Sequence, residues 1–171
     1  MSDAITPWIH IVAVAIWLGP QFFLFLVAVP AVRVIDDAAV RLRVMRVLTR
    51  RFGWLAWAAM AVIVLSGISN LFQVGGDAAS PDIGSTDFRY FHLFSLKMTI
   101  LGIVVLLTAL HSFVIGPRLL NMQEEMGSDA PEAVRVRRIS IAMSSLALVG
   151  SVAVVYLGAL LANHGYSFQP T

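Results

Sequence analysis

Four long apolar stretches alternate with short polar ones along the 171-residue chain. The first, AITPWIHIVAVAIWLGPQFFLFLVAVPAV, carries no charge between Asp3 and Arg33. A helix needs roughly 20 apolar residues to cross a hydrocarbon core of about 30 Å, and each stretch meets that length. The pattern predicts spans at about 6–32, 52–74, 88–116 and 139–163. Cytoplasmic loops are expected at 33–51 and 117–138. The fold class expected is therefore all-α, an integral membrane bundle of four transmembrane helices forming one domain over residues 1–171.

Breaks in the pattern refine these elements. Trp8 suits an interfacial aromatic belt, and Pro20 is expected to bend or loosen the first helix. A secretory signal wants a basic start and a shorter apolar core, so the first stretch reads as a retained helix. The segment RVIDDAAVRLRVMRVLTRR reads as an amphipathic helix lying on the membrane surface rather than as a nucleic-acid contact. Gly75 to Phe88 has turn-forming residues and reads as a short loop. LGP at Leu18–Pro20 and IGP at Ile115–Pro117 echo each other at different depths, and no internal repeat is read from them.

Charge placement orients the chain. Arg33, Arg41, Arg43, Arg46, Arg50, Arg51, Arg118, Arg135, Arg137 and Arg138 all fall in the first and third connections or at their edges, ten of the twelve Lys and Arg. By the positive-inside rule these connections face the cytoplasm, and both termini lie outside. The location expected is a bacterial-type inner membrane. Its partners are the lipid bilayer and, beyond it, a larger membrane complex or a periplasmic carrier of metal or electrons.

Composition agrees and narrows the chemistry: 58% of residues are hydrophobic and only 13% charged, too little charge for a soluble domain. With no cysteine, disulfides, thiolate metal sites and iron–sulfur clusters are excluded. A metal or haem must use histidine, methionine, carboxylate or backbone ligands, and there are four histidines.

The third span is the functional suspect, because it carries His92, Lys97 and His111, and ionisable groups inside a span normally face the bundle interior or water. Lys97 and His111 fall on one face about 21 Å apart, with His92 rotated away. On the first span, His10, Trp17 and Gln21 share a face. His10, His92 and His164 cluster at the outer side, a set suited to copper or zinc. A pair of histidines facing across the bundle would suit haem b instead. Ser66 and Asn70, four apart, share a face that serves either packing or a site. Met60, Met98 and Met143 read as core filler.

At these positions the chain resembles a known family. The H-x6-W-x-G pattern of His10, Trp17 and Gly19, the segment RRFGWLAWAAMAVIVLSGISN, and SLKMTILG followed by HSFVIGPRL are similar to successive helices of the CopD superfamily. That superfamily comprises the copper resistance protein D domain and relatives including the HemJ type of protoporphyrinogen oxidase. The resemblance implies a small free-standing member that handles copper, with His10, Lys97 and His111 as carried-over positions. The alternatives are a b-type haem protein with His10 as axial ligand and His92 or His111 opposite, or a structural subunit of a larger complex. No catalytic residue is assigned.

Overall fold

The computed structural model describes residues 2–76 and 89–170, and the expected loop beyond Gly76 lies outside them. Among the described residues seven helices form the bundle: α1 (Ser2–Phe23), α2 (Val29–Arg33), α3 (Ala38–Gly76), α4 (Arg89–Leu110), α5 (Gly116–Met126), α6 (Pro131–Ala162) and α7 (His164–Ser167). A π turn at Leu24–Ala28 joins α1 to α2, and another at His111–Ile115 joins α4 to α5. Four continuous helical rods result, each long and apolar enough to cross a membrane: Ala4–Arg33, Ala38–Phe72, Arg89–Met126 and Pro131–Ala162.

The π turns have a local cause. Each ends one residue short of a proline, Pro30 or Pro117, which has no N–H to donate and whose ring crowds the carbonyl four residues back. The residue before each proline instead reaches back five positions, Val29 N–H to the Leu24 carbonyl and Gly116 N–H to the His111 carbonyl. The rod widens by one residue and continues. The loosening expected at Pro20 is absent, since α1 runs through it to Phe23.

The connections are shorter than the hydropathy pattern suggests. α3 begins at Ala38, so the arginine-bearing stretch is the first part of the second spanning rod and not a separate surface helix. No glycine or proline interrupts Ala38 to Phe52, and Asp37 caps the start, its Oδ1 accepting from Ala39 N at 2.8 Å and Val40 N at 3.1 Å. On the third rod, helix continues past Pro117 to Met126 and stops at Gly127, whose φ of 86° suits glycine alone. The rods thus project beyond the apolar layer at their arginine-bearing ends. There the exposed Arg46 and Glu124 pair at 2.6 Å between α3 and α5.

Packing is pairwise: α1 lies against α3, and α4 against α6. Ala13, Trp17, Ala59, Met60, Ile63 and Val104 form the central core, with Trp17 and Val104 almost wholly enclosed. Residues on the outer surface are large and apolar: Ile11, Trp54, Leu65, Phe72 and Val149 are all mostly exposed, as lipid-facing positions should be.

The two pairs repeat one another. The π turns Leu24–Ala28 and His111–Ile115 are offset by 87 residues, and so are Pro30 and Pro117, Trp17 and Val104, and His10 and Lys97. On the partner rods, Met60, Ile63 and Ser66 of α3 match Ser151, Val154 and Leu157 of α6, all buried and offset by 91, as are Gly67 and Gly158. The α1–α3 and α4–α6 pairs thus carry matching features at matching offsets along the chain. The echo at Leu18–Pro20 hid this, because the true counterpart of Pro117 is Pro30. Backbone geometry is preserved where side-chain identity is not.

Candidate functional site

One level of the bundle, in the half nearer the termini, gathers polar groups from three of the four rods, with a glycine of the fourth beside them. His10 on α1 packs against α3: its Nδ1 lies 2.9 Å from Ser66 Oγ, and its Cε1 lies 3.4 Å from where a Cβ on Gly67 would be. Gly67 therefore makes room for the imidazole. The Ser66 hydroxyl donates to the Val62 carbonyl at 2.5 Å, so towards His10 its oxygen can only accept. With the serine proton on the Val62 carbonyl, a proton on Nδ1 completes the contact and leaves Nε2 as the nitrogen not engaged by Ser66.

Lys97 on α4 sits at the equivalent level of the second hairpin. Its Nζ lies 3.5 Å from where a Cβ on Gly158 would be, in space that the α6 glycine leaves open, and its charge is within electrostatic reach of His10. Asn70, one turn from Ser66 on the same face of α3, has a buried Oδ1 with no hydrogen-bond partner among the described residues. A buried acceptor without a donor is costly and marks a place where a ligand or water belongs. Sequence reasoning saw Asn70 share a face with Ser66, but the missing donor is visible only in three dimensions.

Two further polar pairs lie deeper. Ser151 Oγ meets Gln21 Oε1 at 3.3 Å, and Ser144 Oγ lies 3.4 Å from His111 Nδ1. Both serines also bond the carbonyl four residues back on α6, at Ala147 and Ser140. Trp57 stacks on Phe113 of the second π turn, its buried Nε1 lacking an acceptor among the described residues.

The predicted histidines do not converge. His92 is exposed and meets Phe91 edge-on, while His164 is exposed and packs on Phe168. Among the described residues no group of three His, Cys, Asp or Glu is placed to hold a metal ion. His111 lies fourteen residues beyond Lys97, about 21 Å along the rod, so it does not stand opposite His10. Of the residues singled out in the sequence, the fold joins His10 with Ser66, sets Lys97 within electrostatic reach of it, and leaves His92, His164 and His111 apart. An apolar groove of ≈ 370 Å³ between α1 and α3, lined by Trp8, Val12, Ile16, Leu55 and Val62 among others, faces outward and holds none of these polar groups.

No curated protein and no solved structure matches the chain. The family model described as Copper resistance protein D matches residues 46–161, which take in three of the four rods and leave the His10 helix outside the match. With its four apolar rods and a match over most of its length, the chain belongs to the copper resistance protein D (CopD) family of membrane proteins.

Proposed function

We propose that this protein handles copper as a cargo at the outer half of an inner membrane, with its termini outside and His10 as the first protein ligand. The observation that carries the reading is the bond from His10 Nδ1 to Ser66 Oγ. A histidine whose Nδ1–H is held by an oxygen presents Nε2 as a fixed lone pair, the usual arrangement of a metal-binding imidazole. The family description supplies the metal. The arginine-rich ends of the rods support the orientation.

The donor set fits a passing ion better than a stored one. Nε2 of His10 and Oδ1 of Asn70 are available, and the spans bring no thiolate or carboxylate to this level. His92 and His164 stand at the terminal end of the bundle, where exposed imidazoles would meet copper before it reaches His10.

The test is copper binding to purified protein in detergent, titrated against a cuprous chelator, for wild type and His10→Ala. Loss of bound copper in His10→Ala with an unchanged melting temperature is expected. Equal copper in both would overturn the assignment of His10. An absorption spectrum of the same sample, oxidised and reduced, checks the haem alternative, for which a Soret band would be required.

A further inference from the structure

Two grooves meet on the outward side of α3. The larger, of ≈ 790 Å³, lies at the arginine-bearing end and is lined by Val47, Arg50, Arg51, Trp54, Leu55 and Ala58. The other is the α1–α3 groove described above, and the two share Leu55 and Ala58. From Val47 to Val62 the α3 lining recurs at helical spacings of three and four, so it forms one stripe down the helix.

The chemistry of this stripe changes along its length. Arg50 and Arg51 stand exposed at its head with no anionic partner among the described residues, whereas Arg46, on the preceding turn, is paired with Glu124. Trp54, 75% exposed, follows one turn deeper, as suits an aromatic ring at the level of lipid headgroups. Below it the lining is wholly apolar, with Leu55, Ala58 and Val62 of α3 facing Val12 and Ile16 of α1. Arg50 to Val62 is twelve residues, about 18 Å of helix, against about 15 Å for the apolar half of one leaflet. An apolar helix seated here would fill the trough and leave both arginines unpaired at the interface. An anionic phospholipid satisfies both ends, because guanidinium groups match a phosphate and the trough matches an acyl chain.

We propose that this stripe of α3 seats one anionic phospholipid, its phosphate on Arg50 and Arg51 and one acyl chain along Leu55, Ala58 and Val62 between α1 and α3. The site goes beyond the copper reading and stands independently of it. It differs from general attraction of basic residues to a membrane surface in needing the groove as well as the charge.

The test is native mass spectrometry of the whole protein in mild detergent, titrated with phosphatidylglycerol or phosphatidylcholine of identical acyl chains. One phosphatidylglycerol per chain is expected, held roughly thirtyfold more tightly than phosphatidylcholine, the scale of two arginines acting on an anionic lipid. Arg50→Gln with Arg51→Gln should abolish that preference, while Arg135→Gln with Arg137→Gln, on α6 and outside the groove, should keep it. Ala58→Phe leaves every charge in place and fills the section that the two grooves share, at an exposed position where a larger side chain spares the core. It should weaken phosphatidylglycerol binding about tenfold, the worth of two or so methylenes displaced from the trough. Equal affinity for the two lipids in the wild type overturns the proposal, and so does unchanged phosphatidylglycerol binding in the Arg50/Arg51 variant. Wild-type binding in Ala58→Phe overturns it by reducing the site to surface attraction. A dimer that Ala58→Phe dissociates overturns it in favour of a second copy of the chain in the groove.

Discussion

Nδ1 of His10 lies 2.9 Å from Oγ of Ser66, a bond that ties α1 to α3 inside the bundle and fixes which nitrogen of the imidazole is free. The hydroxyl proton is already committed to the Val62 carbonyl. The serine therefore acts as a pure acceptor, and one methyl-sized oxygen determines the chemistry that the histidine offers.

Replacing Ser66 with alanine removes that acceptor while leaving His10 in place. Copper affinity should fall about tenfold or more, the usual range for losing a group that orients a metal-binding histidine, with Ser66→Thr closer to wild type. Competitive titration with a cuprous chelator reads the change. Wild-type affinity in Ser66→Ala would show that the hydrogen bond does not set the ligand geometry.

Two glycines on α6 should respond differently to alanine. A Cβ on Gly150 would come 2.5 Å from Val104 Cγ2, at the most enclosed point of the core, whereas one on Gly158 would stand 3.5 Å from the flexible end of Lys97. Overpacking a core typically costs about 1–3 kcal/mol, so Gly150→Ala should lower the melting temperature in detergent. Gly158→Ala should leave it nearly unchanged. The opposite ranking would contradict the α4–α6 packing.

The absence of cysteine allows the orientation to be read directly. A single cysteine placed at Pro170 should react in intact cells or spheroplasts with a membrane-impermeant maleimide, and one at Ser128, in the turn between α5 and α6, should react only after permeabilisation. Labelling in the reverse pattern would place the arginine-bearing ends outside, against the positive-inside expectation.

What the sequence determined by itself is what depends on local composition. Hydropathy over a window of helical length defined four spans, and the imbalance of arginine between connections suggested their orientation. The helix ends were less legible. The stretch 33–51 was expected to lie on the membrane surface because its charges signal water, yet an unbroken run of helix formers, capped by Asp37, carries α3 straight through Ala38–Arg51. Pro117 looked like a terminus, but a π turn absorbed it.

Only the tertiary structure decided which polar residues meet. Spacing placed Lys97 and His111 on one face and grouped three histidines at one membrane surface, but spacing says nothing about what the neighbouring helix offers. Pairing α1 with α3 brought Ser66 and Gly67 to His10, and pairing α4 with α6 opened space for Lys97 at Gly158. His92 and His164 stayed exposed, against Phe91 and Phe168. The repeat was hidden for the same reason: in a membrane, hydrophobicity does not drive helices together, so their association rests on close fit at small residues, a property of two surfaces that neither sequence segment displays alone.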